Sequence, residues 1–154
     1  MYSFFLALHS LVRWFVLISL LIALYRAWSG LLLKKPFSKF DNFIRHTTAT
    51  IAQTQMLLGI VLYCISPLVR YFLNYFKDAV HQRQIRFFGM EHVVMMLLAV
   101  VLITIGSMRA KRQPDDKQKF RTMAIFFTIA LLVILSSIPW QFSPLVSRPY
   151  FRSF

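Results

Sequence analysis

Four long apolar blocks dominate the chain, from Tyr2 to Trp28, Phe43 to Ser66, Phe87 to Met108 and Thr122 to Trp140. Each approaches the roughly 20 residues an α-helix needs to cross the hydrocarbon of a bilayer. Lipid offers backbone N–H and C=O groups no partner, so spans of this kind are expected to be helical throughout. The connections are short, which predicts antiparallel neighbours. The expected fold class is therefore all-α: an integral membrane antiparallel four-helix bundle forming one transmembrane domain over residues 1–154. Composition agrees. The chain is 58% hydrophobic and 16% aromatic with five acidic residues, where a soluble domain is about 45–50% apolar.

The blocks carry their own punctuation. The first lacks a basic leader, holds Arg13 in its middle and shows no small-residue cleavage pattern, so it is expected to remain as a span. Tyr25, Arg26 and Trp28 suit an interfacial anchor, Gly30 a helix end and Pro36 a turn. Asp41 or Asn42 offers an N-cap for the second span, which should stop at Ser66-Pro67. Residues 68–84 differ from the spans. Leu68, Tyr71, Phe72, Tyr75, Phe76, Ala79 and Val80 recur at helical spacing with polar residues between them, predicting a short amphipathic helix in the interface. Pro114 and the pair Asp115-Asp116 mark the turn into the fourth span. The aromatic, proline-containing tail after it is too short to cross again.

A net charge of +13 would point to nucleic acid in a soluble protein. Here its distribution is the informative part, and no nucleic-acid partner is expected. The first and third loop regions hold Arg26, Lys34, Lys35, Lys39, Arg45, Arg109, Lys111, Arg112, Lys117, Lys119 and Arg121. The other side holds Arg70, Lys77, Arg83, Arg86, Arg148 and Arg152. The positive-inside rule then predicts cytoplasmic loops one and three, with both termini outside, and some of the charge is expected to meet anionic lipid head groups. The lone cysteine, Cys64, excludes an intrachain disulfide and reads as a small buried side chain.

Ionisable groups inside spans cost roughly 2.5–3.5 kcal/mol each on insertion scales, so the few present are the candidates for function. His9 and His92 fall at similar depth in spans that run the same way. Two neutral imidazoles on parallel helices facing each other across a bundle core are what bis-histidine ligation of a haem iron requires. Equally, each imidazole can simply bond a neighbouring helix. Arg13, one turn from His9, has Glu91 as its expected ion-pair partner, or else a haem propionate. Glu91 is also a candidate for handling protons in quinol chemistry. His46 and Gln53 share a face of span two and are candidates for contact with a quinone or lipid head group, or for bonding across helices. His81 reads as solvated, and the methionines Met56, Met90, Met95 and Met96 as packing residues. Soluble-enzyme signatures are absent: there is no GxGxxG, phosphate loop, HExxH or CxxC.

The stretches ALHSLVRW (7–14), FGMEHVVMM (88–96) and SIPWQFSPLVSRPYF (137–151) resemble a group of small four-span membrane proteins of Bacteroidota labelled cytochrome b. The resemblance extends over nearly the whole chain. It implies a b-type haem, respiratory electron transfer and the bacterial inner membrane. Carried onto this sequence, it implies His9 and His92 as ligands, with Arg13 close by. A second histidine pair is missing, which departs from two-haem cytochromes b. Two functions follow as expectations. One is a haem b-binding protein in quinone-linked electron transfer that works with a redox partner or larger complex and is not a stand-alone enzyme. The other is a cofactor-free accessory subunit of a membrane complex.

Overall fold

A computed structural model of the chain describes residues 1–139. The tail read above, with Trp140, Arg148 and Arg152, lies beyond Pro139 and outside the described residues. Among the described residues every regular element is helical: α1 (Tyr2–Leu32), α2 (Lys39–Ile65), α3 (Pro67–Asn74), α4 (Phe76–Ala79), α5 (Arg83–Arg86), a π-helical turn (Phe87–Glu91), α6 (His92–Arg112) and α7 (Asp116–Ser137). The run Arg83–Arg112 makes one long rod. Together with α1, α2 and α7 it gives four helices long and apolar enough to cross a membrane, so this is a multi-pass membrane protein.

Around the bundle the packed pairs are α1 with α2, α2 with α6, α6 with α7, and α7 with α1. Every neighbour is thus antiparallel, while α1 and α6 lie diagonally and run the same way. One end of the bundle carries Met1 and the short helices α3 to α5. The other carries the α1–α2 and α6–α7 turns and is called here the basic end.

The helix ends follow local chemistry. Ser38 caps α2: its hydroxyl accepts from the Asp41 N–H at 3.2 Å, and the Asp41 carboxylate accepts from the Ser38 N–H at 2.9 Å. This reciprocal capping box starts α2 earlier than Asp41 or Asn42 would have done. Asp115 caps α7 by accepting from the Gln118 N–H at 2.7 Å. Ser66 caps α3, with Pro67 in its first turn, so the boundary expected at Ser66-Pro67 holds. Gly30 does not end α1. It stays helical because the Phe120 ring occupies the space a side chain would fill, and Lys34, at φ 52°, makes the turn instead. The expected amphipathic helix is broken into α3, α4 and α5. Cys64 is exposed, opposite the face where α2 buries Leu62, and so corrects the buried reading.

Toward the basic end the core is tight and rich in alanine. Leu20, Ala23, Ala27, Ile103, Ala110, Met123, Ala124, Phe127 and Ala130 have no measurable exposure, and small side chains let membrane helices approach closely. Polar groups here are closed among themselves. The fully buried Asp41 accepts from Arg26 Nε at 2.7 Å and from the Ser38 hydroxyl at 2.6 Å. Arg45 is also buried; its Nη1 donates to the Ser107 carbonyl at 2.8 Å and hydroxyl at 2.6 Å, and its Nη2 to Asn42 Oδ1 at 2.8 Å. Arg26 and Arg45, which look like loop cations in the sequence, therefore tie α1 to α2 and α2 to α6.

Asp41→Ala removes a buried acceptor from Arg26 and half of the capping box. It should cost about 2–3 kcal/mol, toward the low side for a broken buried pair because Arg26 keeps partial exposure. Ser38→Ala, which removes the cap and one hydroxyl donor to Asp41 but leaves the Asp41–Arg26 pair, should cost about 1 kcal/mol. Unfolding in mixed micelles of rising SDS fraction should reproduce that order.

Candidate functional site

Toward the Met1 end the bundle opens around a cavity of about 350 Å³. α1 contributes His9, Arg13 and Val16 to its wall, α2 contributes Gln55, Gly59 and Tyr63, and α7 contributes Ile134. His92, Met96 and Ile103 come from α6, at the four- and seven-residue steps that keep side chains on one helical face. His9, Arg13 and His92 thus line one cavity. The two histidines stand on the diagonal helices α1 and α6, facing each other across the core instead of along a helix–helix seam.

His92 reaches the wall through a departure from α-helical geometry. Its N–H donates to the Phe87 carbonyl, a five-residue reach that widens the turn between α5 and α6. Wide turns of this kind free a carbonyl and shift the phase of everything that follows. Three contacts hold it. Tyr63 donates its hydroxyl to the Gly89 carbonyl at 2.9 Å, and Arg86 Nε donates to Glu91 Oε1 at 2.6 Å. Arg86 Nη1 also donates to the Val80 carbonyl at 3.1 Å, fastening the short helices to the rod. A side chain at Gly89 would run into the Phe72 ring of α3, so glycine is required by the close packing there.

The same turn corrects the expected Arg13–Glu91 pair. In a π turn residues five apart come into register, so Glu91 meets Arg86, and both remain about one-third exposed. Glu91 does not line the cavity. Arg13 does, and its guanidinium lies 5.2 Å from the Trp14 ring.

Each imidazole is backed by a different helix. His92 Nδ1 lies 3.0 Å from the Ser137 carbonyl of α7. A carbonyl only accepts, so Nδ1 carries the proton in this bond and Nε2 keeps its lone pair. The Phe87 and Phe88 rings pack beside it, with centroids at 5.6 and 6.0 Å. His9 rests against Gly59 of α2: a Cβ there would sit 3.4 Å from His9 Cε1 and 3.8 Å from Nδ1. Gln55, one turn before Gly59, donates its Nε2 to the His9 carbonyl at 2.9 Å. Among the described residues, His9 Nδ1 and Gln55 Oε1 are buried without a hydrogen-bond partner.

His46 and Gln53 are not brought to this cavity. Both are exposed on the outward face of α2, where Gln53 Nε2 donates to Thr104 Oγ1 at 3.2 Å and so bonds across to α6. His81 is exposed on the segment before α5. Among the described residues, no three His, Cys, Asp or Glu side chains gather in one place. Gln55, Gly59, Tyr63 and the Ser137 carbonyl went unnoticed in the sequence. Gln55 had a signal, a carboxamide in mid-span, but the Gln53 stripe two residues away drew the attention. A backbone carbonyl leaves no signal at all. The chain matches no protein-family model, no curated protein and no solved structure.

Gly89→Ala should destabilise the protein by about 1–3 kcal/mol, the range for forcing atoms into a packed site. The penalty should shrink in a Phe72→Ala background, because the two positions share one space. A double-mutant cycle read by thermal unfolding in detergent checks this, and equal penalties in both backgrounds would show that Phe72 does not set the constraint.

Proposed function

We propose that the chain is a haem b-binding integral membrane protein of quinone-linked electron transfer, in which His9 and His92 would hold the group and Arg13 would stand beside it. The observation that carries this reading is the His92–Ser137 bond. An imidazole that donates its Nδ1–H to a backbone carbonyl has its tautomer and ring orientation fixed, with Nε2 free as a donor atom, the usual outer-sphere arrangement of ligating histidines. The placement of His9 and His92 on the diagonal helices α1 and α6, lining one cavity, supports it, because two imidazoles from different helices could hold one group between them.

The number of donors favours a macrocycle over a bare ion. A tetrahedral or octahedral ion needs about four to six ligands, whereas a haem iron takes four from the porphyrin and asks the protein for two. When bound, such a group exchanges one electron between ferrous and ferric states. The chain's own contribution is to hold the two imidazoles apart at fixed orientation and to surround them with apolar side chains such as Met96, Ile103 and Ile134. Arg13 offers a guanidinium to a carboxylate in the same wall, where a fork-shaped donor suits that partner.

The same reading places the chain in a bacterial inner membrane with its basic end in the cytoplasm and both termini periplasmic. The excess of Lys and Arg at the α1–α2 and α6–α7 turns supports this orientation, even with Arg26 and Arg45 engaged inside the bundle. A single site near one end calls for a partner, either quinol or another subunit of a membrane complex, to supply and remove the electron. His46 and Gln53, on the outward face of α2, would meet a quinone or lipid head group or a neighbouring subunit away from the end where the electron is exchanged.

Protein purified in mild detergent should show the α band of a b-type haem in its reduced-minus-oxidised spectrum. His9→Ala and His92→Ala should each lower haem occupancy by more than about tenfold, exceeding the effect of losing an outer-sphere partner. A wild-type protein without an α band, or a band indifferent to both substitutions, would leave the cofactor-free accessory subunit as the surviving reading.

A further inference from the structure

We infer that Gln55 is the positioning residue of His9, fixing the tautomer and ring orientation of that imidazole as the Ser137 carbonyl fixes those of His92. The inference builds on the haem reading for its consequence but on geometry for its content. The Gln55 carboxamide already grips His9, because its nitrogen donates to the His9 carbonyl at 2.9 Å. Its oxygen is buried with no partner among the described residues, and Nδ1 of that same histidine, which lines the same cavity, is buried without one as well. One is an acceptor and the other, when protonated, a donor.

The direction of the imidazole supports the pairing. Gly59 lies one turn beyond Gln55 on the same face of α2, and the Cε1–Nδ1 edge of His9 packs onto it. The Nδ1 edge therefore faces α2, the helix that bears Gln55. In the inferred arrangement Oε1 accepts from Nδ1–H while Nε2 keeps the His9 carbonyl, so that one side chain clasps both ends of His9. Nε2 of His9 is then left with its lone pair, as it is in His92. A buried acceptor and a buried donor lining one cavity each pay the full cost of desolvation until they are matched, which favours their pairing.

The inference gives the two ligands unlike supports. His92 leans on a backbone carbonyl that no substitution can change, whereas His9 leans on a side chain. Gln55 is thus the position through which the electron-donating strength of one ligand can be tuned. A stronger acceptor on Nδ1–H gives the imidazole more imidazolate character and favours the ferric state.

The test uses the full-length protein with its histidines ¹⁵N-labelled, prepared with haem and under haem limitation. In the haem-limited wild type, imidazole NMR should show His9 and His92 both protonated at Nδ1. Gln55→Leu should convert His9 to a mixture or to the Nε2–H form and leave His92 unchanged. In the haem-loaded protein, Gln55→Leu should weaken haem affinity by about 10–100-fold, the scale for an outer-sphere partner, and raise the midpoint potential. Gln55→Glu keeps an acceptor and should lower the potential. An unaltered His9 tautomer in Gln55→Leu overturns the inference; if that variant does not fold, a potential unmoved by Gln55→Glu overturns it instead. Absence of an α band in the wild type defeats the haem reading alone, and the tautomer of His9 still decides the role of Gln55.

Discussion

Every backbone N–H and C=O inside hydrocarbon must find its partner within the protein, and the rest of the structure depends on that constraint. It makes four rods out of four apolar blocks, and the polar contacts between them run from side chains to other side chains or to backbone carbonyls. It also explains how the few polar side chains are treated. At the basic end they are closed into pairs: Asp41 with Arg26 and Ser38, Arg45 with Ser107 and Asn42. At the other end His9, Arg13, Gln55 and His92 line a cavity, with His92 bonded to the Ser137 carbonyl and Gln55 to the His9 carbonyl. Two halves of one bundle thus obey the same rule with different outcomes. The basic half ties the helices together through these pairs, and the half with the cavity is where the proposed group would bind.

The placement of His92 depends on a single irregularity. A regular helix from Arg83 onward would rotate the residues after it by about 100° for the one residue the wide turn absorbs. That rotation decides which side chains of α6 face the core. Wide turns are unfavourable on their own, so something must hold this one in place. Tyr63, Arg86 and the packing of Phe72 on Gly89 supply that restraint from three different segments. The short helices between α2 and α6 are therefore part of the apparatus that aims His92, as well as a cover over one end of the bundle.

Much of the architecture was legible in the sequence, for identifiable reasons. Span number, the all-helical form, the Ser66-Pro67 break and the Asp115 cap follow from apolar length and capping chemistry, both of which are local. What failed was azimuth. The depth of Arg13 and Glu91 was inferred from residue counts, but depth does not say which way a side chain faces, and the π turn gave Glu91 to Arg86. The same gap explains Cys64, which faces outward, and the preference for Gln53 over Gln55, since two residues along a helix are about 200° apart. Gly30 misled for a different reason. Glycine ends helices when nothing packs on it, and here the ring of Phe120, ninety residues along the chain, packs on it.

The asymmetry of the bundle also bears on direction. A ligand held by His9 and His92 sits nearer the Met1 end, and its wall extends to Tyr2, Leu68 and Pro139 at that end. On the other side lie the alanine-rich layer and the fully buried Phe120 and Phe127. Loading from the basic end would require parting helices at their tightest contacts and breaking the Asp41 and Arg45 networks. Among the described residues, loading from the Met1 end would displace the short segments that follow α2. In the proposed reading, the group enters and exchanges electrons at one face. His46, the histidine of α2 nearest the basic end, points outward and has no counterpart across the core. In that reading, charge transfer across the whole membrane would need a second protein, because the two histidines that would hold the group line a cavity nearer the Met1 end.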